Sequence, residues 1–324
     1  MLKILCIYVV LIPTIVWDSH FEVPKVFALI LASVPILFYL LLNLDKLILV
    51  KRDKWYLTWL FWLTASSLIG ENFKISILGG SYRHQGIIFF FCLWLFLKVL
   101  EFLKESEKLI LYKIVAISVT AQAIIVMLGY KLGTIGEINA VSGFISIGIY
   151  FAINFLPKWM IGLPILSMIL NFSKSGFLAL IPYVYSKKRI IPILLFILLI
   201  FIFKPINLDS NFENRAVIWK HSTNLIIESP VFGYGAESNE VIFKKAFAES
   251  GFPLSNLIID RAHNLFLDVT LWSGSIGLVL FLGFLYHSFE NLDINRKKAL
   301  FSFLIFSMLQ PLSVAHWLLF ILII

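Results

Sequence analysis

Asp260-Arg261-Ala262-His263-Asn264 leads directly into LFLDVTLWSGSIGLVLFLGFLYHS, residues 265–288, and this junction decides the fold. A helix needs about 20 apolar residues to cross a bilayer, with a workable range of about 17–25. The 264–288 run meets that length, and Asp268 is its only Asp, Glu, Lys or Arg. Similar runs recur outward from it. They fall at 2–16, 23–44, 55–69, 86–103, 109–130, 140–156, 159–172, 175–186, 190–206, 299–310 and 314–324. The pattern predicts an all-α polytopic membrane protein with about eleven or twelve transmembrane helices. The short runs at 159–172 and 175–186 predict broken or tilted helices, and the final pair is open to reading as one span kinked at Pro311.

Composition agrees. The 324-residue chain is 60% hydrophobic and 14% charged, with a mean hydropathy of +0.92. Soluble domains carry about 45–50% apolar and about 25% charged residues, so a water-soluble fold could not cover this much apolar surface. Cys6 and Cys92 both lie within apolar runs and read as packing residues, with neither a disulfide framework nor a metal cluster in view. The net charge of +8 falls in short clusters between apolar runs. That is a topology signal rather than a nucleic-acid-binding stripe. Residues 1–16 resemble a signal peptide, but Trp17-Asp18-Ser19-His20 lacks a small-x-small cleavage pattern, so an uncleaved first span is expected.

A cytoplasmic N-terminus places every compact basic cluster inside: Lys51, Arg52 and Lys54; Lys104 and Lys108; Lys158; Lys187-Lys188-Arg189; and Arg296-Lys297-Lys298. The positive-inside bias selects that orientation. The outside then holds residues 70–86, a short loop at 131–139, Ser173-Lys174-Ser175, and the longest loop, about 207–263. The expected organisation is an N-terminal bundle (1–206), a small helical cap (207–263) and C-terminal helices (264–324), forming one membrane domain. Within the cap, Glu213–Glu228 has helical spacing with Ala216, Trp219, Ile226 and Ile227 on one apolar side. Pro230 ends it, Gly233-Tyr234-Gly235 reads as a tight turn, and Glu237–Glu249 reads as a second amphipathic helix.

Channels and transporters concentrate function at charges inside their spans. Here the charges that invite a functional reading gather at the outer face, pointing to chemistry on a substrate whose tail lies in lipid. Arg215 offers a planar fork that matches phosphate oxygens, or else is a solvated helix residue paired with Glu213. Arg83, beside Tyr82 and ahead of a span, is a phosphate ligand or an interfacial anchor. Lys174 and Arg261 carry the same two readings. His263 begins a helix where the cap meets the membrane, and is either a proton acceptor or a capping residue. No metal motif and no Gly-rich phosphate loop occurs in the sequence. Kinase and ATP-driven chemistry therefore lack support.

The order of these features resembles the O-antigen ligase and polymerase superfamily of bacterial inner-membrane glycosyltransferases. Three elements carry the likeness: Asn214-Arg215-Ala216-x-x-Trp219, then Glu228-Ser229-Pro230-x-x-Gly233-x-Gly235, then Ala262-His263-Asn264-x-x-Leu267 with Gly274-x-x-Gly277 beyond. Tyr82-Arg83-His84-Gln85-Gly86 resembles the family's early arginine loop, and Ser173-Lys174-Ser175-Gly176 its mid-chain Ser-x-Ser-Arg element. Gly176 stands where that element commonly has arginine. The family's Asn-Pro-Asn-type segment is reduced to Asn139-Ala140 and Ser142-Gly143.

The resemblance implies a periplasmic cap and a polyprenyl-diphosphate-linked glycan as donor. The acceptor would be lipid A core, a protein or another glycan. Arg215 and His263 would be catalytic, and Arg83, Lys174 and Arg261 would hold the diphosphate. No metal, cofactor or nucleic acid is implied; membrane lipid surrounds the site. A ligase-like enzyme is the leading expectation, with a repeat-unit polymerase, a lipid-linked glycan transporter and a non-catalytic scaffold as alternatives.

Overall fold

The computed structural model describes residues 2–17, 21–171, 173–184, 215–249 and 259–324. The expected span at 190–206, the Lys187-Lys188-Arg189 cluster, Asn214, and the 207–214 and 250–258 parts of the cap lie outside them. Every regular element described is helical, with no strand among the described residues.

The first helices are α1 (Leu2–Leu11), α2 (Val23–Leu41), α3 (Lys51–Ile69), α4 (Phe73–Leu78) and α5 (Ile87–Glu101). They are followed by α6 (Glu105–Met127), α7 (Ile138–Phe155), α8 (Gly162–Asn171), α9 (Lys174–Ala179) and α10 (Ile181–Val184). The rest are α11 (Arg215–Glu228), α12 (Asn239–Glu249), α13 (Leu265–Glu290), α14 (Ile294–Ser307) and α15 (Val314–Ile323). Four of these, α2, α6, α7 and α13, are long and apolar enough to cross a membrane. α3 has the length, but Arg52, Asp53 and Lys54 occupy its first turn. α1, α8 and α15 are shorter apolar helices. The chain is a polytopic membrane protein. The short runs at 159–186 are broken, as their lengths predict, into α8, α9 and α10. α14 and α15 are separate helices on either side of Pro311 rather than one kinked span.

The chain divides into two units. One comprises residues 1–42, 95–207 and 292–324. Its centre is α7, buried from Ala140 to Ala152 and packed by α6, α8, α9, α14 and α15. Gly148 and Gly143 admit Val119 and the Phe306 ring to close range, the small-residue contact that membrane helices favour. Several buried polar groups in this unit find partners within it. Lys25 Nζ donates to the Thr134 carbonyl at 2.9 Å, Val314 N to Glu22 Oε2 at 2.9 Å, and His316 Nε2 lies 2.9 Å from the Ala140 carbonyl.

The other unit comprises residues 43–94 and 208–291. α3 runs along α13 through an aromatic ladder: Trp55 with His287, Tyr56 with Phe284 and Trp59 with Phe281, at ring separations of 6.0, 4.8 and 5.1 Å. Ile218, Leu225, Ile242, Phe243, Phe247, Ile259, Ala262 and Leu271 form the core that unites α11, α12 and α13. The apolar side of α11 differs from the sequence expectation. Ile218, Ser222 and Leu225 face inward, with Trp219 and Ile226 at the margin. Ala216 and Ile227 are exposed instead. The buried i, i+4, i+7 row is set by what α12 and α13 offer for packing, which the α11 sequence alone does not contain.

α13 is interrupted at Gly274, where φ is +64° and ψ −170°. The Gly233-Tyr234-Gly235 turn fills the break. Tyr234 N and Gly235 N donate to the Leu271 and Trp272 carbonyls at 2.7 and 2.9 Å, and Ser275 N donates to the Pro230 carbonyl at 2.8 Å. Gly274 is obligatory twice over: its backbone lies in the left-handed region, and a Cβ there would sit 2.0 Å from the Val231 oxygen. The spaced Pro-Gly-Gly and the distant Gly274 thus form one backbone joint.

Candidate functional site

The 79–86 loop, the turn at 236–238 and the stretch 259–264 meet in the second unit. Arg83 is buried, pairs through Nε with the Asp260 carboxylate, and lies 5.3 Å from the Tyr82 ring centroid. Arg261 pairs through Nη2 with Glu237, both side chains being 3% exposed. Its guanidinium also donates to Gln85 Oε1 at 3.3 Å and to the Asp260 carbonyl at 3.0 Å, and stacks 4.8 Å from the Trp272 centroid. Glu237 is shared, since its Oε2 accepts from Gly80 N at 3.0 Å. The Gly80 carbonyl in turn accepts from His84 N at 3.0 Å. One carboxylate therefore ties the arginine loop to the 259–264 stretch.

The stretch itself is pinned from below. Asp268 Oδ1 accepts from Ala262 N at 2.8 Å and from Asn239 Nδ2 at 2.6 Å. Asn239 Oδ1 accepts from Trp272 Nε1. Asn264 is the N-cap of α13, accepting from Phe266 N and Leu267 N at 3.0 and 3.3 Å. That explains the Asn of the Ala-His-Asn string: it satisfies two amides that a helix start leaves open. Ala262 is held on its other side too, where Trp219 Nε1 donates to its carbonyl at 2.9 Å.

Trp219 lies four residues after Arg215 on α11. Residues at i and i+4 stand about 5–6 Å apart on one helix face. Arg215 is therefore carried on the face of α11 that reaches the 262–263 backbone. The structure brings Arg83, Arg261 and His263 together around Asp260, with Arg215 on the helix bonded beside them. Lys174 belongs to the other unit. It opens α9 behind the Ser173 N-cap, whose Oγ accepts from Gly176 N at 3.3 Å and donates to Asn139 Oδ1 at 2.9 Å. A Cβ at Gly176 would come within 2.8 Å of the Ser142 side chain on α7. Close helix packing here requires glycine where the resemblance leads one to look for arginine.

Electrostatics follow from this arrangement. Burial pushes the Asp260 carboxyl up, but Arg83 and Arg261, with His263 contributing, outweigh it and hold the group below the ordinary aspartate value. Asp260 is thus the common counter-charge of the cationic cluster. Three non-glycine residues among those described have positive φ: His84 (+54°), Glu237 (+58°) and His263 (+57°). Each adjoins or forms one of these ion pairs. Among the described residues no group of three or more His, Cys, Asp or Glu side chains is placed to hold a metal ion.

Sequence reading missed the pairing roles of Glu237, Asp268, Asn239, Gln85 and Asp260. A signal existed for Asp268, the lone acid in an apolar run, because such a charge must find a partner. None existed for Glu237, whose partners lie 24 and 157 residues away.

A family model for O-antigen ligase matches residues 59–282, from within α3 to within α13. No curated protein matches, and no solved structure does. The matched span contains the whole ion-paired cluster and covers more than half of the chain. The chain belongs to the O-antigen ligase family, membrane proteins of ligase- or polymerase-type glycosyl transfer.

Proposed function

We propose that this protein transfers a glycan from a polyprenyl-diphosphate carrier to an acceptor hydroxyl at the non-cytoplasmic face of the bacterial inner membrane, as a ligase. The observation that carries this reading is the grouping of Arg83, Arg261 and His263 around Asp260, beside the helix that bears Arg215. The acceptor oxygen attacks the anomeric carbon, and the bond from that carbon to the phosphate oxygen breaks. The diphosphate leaves with the electron pair while His263 takes the hydroxyl proton. Arg215 and Arg83 stabilise the charge that develops on the leaving group. Arg261, buried and bonded to Glu237, Gln85 and the Asp260 carbonyl, supports the reading of a residue that fixes the 260–263 backbone from behind. Neutralisation by guanidinium groups leaves no step that needs a metal or nucleotide.

The test is transfer by purified protein from a polyprenyl-diphosphate glycan, with EDTA present, to lipid A core, protein and glycan acceptors. His263→Ala is expected to lose about 10²–10⁴-fold in kcat. Arg215→Ala is expected to lose about 10²–10³-fold, the usual effect of removing one oxyanion donor. Transfer to a non-reducing glycan end alone identifies a polymerase. Full activity in either variant refutes the assigned roles.

A further inference from the structure

The turn that plugs the α13 break has a depth that can be worked out. At one end of the α3–α13 pair stand Lys51, Arg52, Lys54 and Glu290, with Trp55 level with His287. Charged residues bounded by an interfacial tryptophan mark a membrane boundary. From His287 to Ser275 the helix climbs about 18 Å at 1.5 Å per residue. The hydrocarbon core is about 30 Å thick. The Gly274 break therefore lies about 12 Å short of the opposite boundary, inside the far leaflet, and helix tilt moves it deeper. Since Pro230, Tyr234 and Gly235 are hydrogen-bonded to Ser275, Leu271 and Trp272, the turn lies at that depth as well.

Two independent features fit such a position. Irregular backbone at membrane depth persists only where its polar groups are satisfied within the protein. Besides the bonds already given, Phe232 O accepts from Ser66 Oγ at 2.5 Å and Gly233 O from Ser229 Oγ at 2.9 Å. Gly233 N donates to Ser229 O at 3.2 Å, and Tyr234 O accepts from Glu71 N at 3.0 Å. The side chains left outward are apolar: Ile227, Val231 and Phe232 are 70%, 43% and 39% exposed. Ser275, bonded to Pro230, is followed on α13 by exposed Ile276 and Val279. The apolar tip thus continues the outward face of a membrane helix.

We propose that residues 229–235 form a re-entrant tip, with Val231 and Phe232 set against lipid acyl chains in the non-cytoplasmic leaflet and Ile227 just above them. Glu228, bonded by the Tyr234 hydroxyl at 3.3 Å, reaches up to the headgroup level. α11 therefore descends into the leaflet from Arg215 to Glu228, with its arginine end uppermost.

The test uses the full chain in phosphatidylcholine–phosphatidylglycerol vesicles, with single cysteines at Val231 or Phe232. Thr223→Cys on the polar face of α11 and Val279→Cys on the exposed face of α13 are the references. The native Cys6 and Cys92 are buried. A membrane-impermeant maleimide is expected to label positions 231 and 232 more than about tenfold more slowly than 223, because thiolate formation falls tenfold per unit rise in thiol pKa. Bimane attached in detergent should, after reconstitution, be quenched by doxyl-labelled lipid as strongly as at 279, and weakly by iodide. Val231→Cys decides the matter if Phe232→Cys misfolds, since Phe232 stacks on Trp62 at 5.0 Å. Labelling at the Thr223 rate overturns the proposal. So does a fluorophore reached by neither quencher, which would mean that a protein surface covers the tip.

Discussion

Glu237→Gln isolates the value of the shared carboxylate. The substitution keeps shape and volume while removing the charge opposite Arg261. A glutamine has one acceptor oxygen, so it can serve the Arg261 guanidinium or Gly80 N, and its amide NH2 then faces the other donor. Removing one partner of a buried pair costs about 3–5 kcal/mol, because the remaining charge is stranded. The Asp260 carbonyl, Gln85 and the Trp272 ring still hold Arg261, which places the loss near the lower end, about 3 kcal/mol. For a chain of this size that corresponds to roughly 5 °C in melting temperature. Glu240→Gln is the control. Glu240 meets Ser81 Oγ at a marginal 3.5 Å, at the exposed edge, and its loss should stay within about 0.5 kcal/mol. The assay is a thermal melt of detergent-purified protein, followed by transfer rates on the folded fraction. The double variant Glu237→Gln/Arg261→Gln should recover part of the loss, since no charge is then stranded. Melting of Glu237→Gln at the Glu240→Gln temperature would refute the inference that this ion pair is desolvated and shared.

Two further outcomes follow from named contacts. Asp260 has a folded value below its unfolded one, so its stabilisation is complete above the unfolded carboxylate range and fades as pH falls through the folded value. The melting difference between wild type and Asp260→Asn should therefore be largest near neutrality and close as the medium is acidified below about pH 4; a constant difference contradicts it. Gly274→Ala forces a Cβ to within 2.0 Å of the Val231 carbonyl at a φ of +64°. It should abolish recovery of folded protein in a size-exclusion assay, whereas Gly129→Ala, with nothing within 4 Å, pays only its positive φ and should be recovered.

The fold was legible where a rule depends on composition alone. Apolar run length identified the four helices long and apolar enough to cross a membrane, and proline and glycine marked the end of α11 and the turn after it. The short runs between 159 and 186 gave away their breaks by length. What the sequence hid was pairing at long range. The face that α11 buries depends on Phe243 and Leu271, and the partner of Gly274 is Val231, 43 residues earlier in the chain. Arg83, Arg261 and His263 were legible as candidates because each stands in a short polar segment directly ahead of an apolar run. Their counter-ions were not, because an isolated Glu237 in a glycine-rich turn looks like any solvated surface acid until Gly80 and Arg261 are brought to it.

The three strained residues give the site its logic. Histidine tolerates the left-handed region better than most side chains, but glutamate has no such excuse. Each such residue costs about 1–3 kcal/mol, and it persists only where its surroundings over-determine it. Glu237 is fixed at both carboxylate oxygens, by Arg261 and Gly80. His84 is held at its backbone N by Gly80. The neighbours of His263 are locked, Ala262 by Asp268 and Trp219, and Asn264 by its capping bonds. The chain cannot relax at 263 without breaking a buried hydrogen bond on one side or a helix cap on the other. A stability-driven sequence would place glycine or asparagine at such turns. Keeping histidine and glutamate there holds an imidazole and a carboxylate in fixed directions beside two buried guanidiniums. In the proposed transfer, which relies on electrostatic stabilisation, charges already oriented before substrate arrives require no reorganisation during reaction. The strain at 84, 237 and 263 is thus best explained as the cost of that orientation.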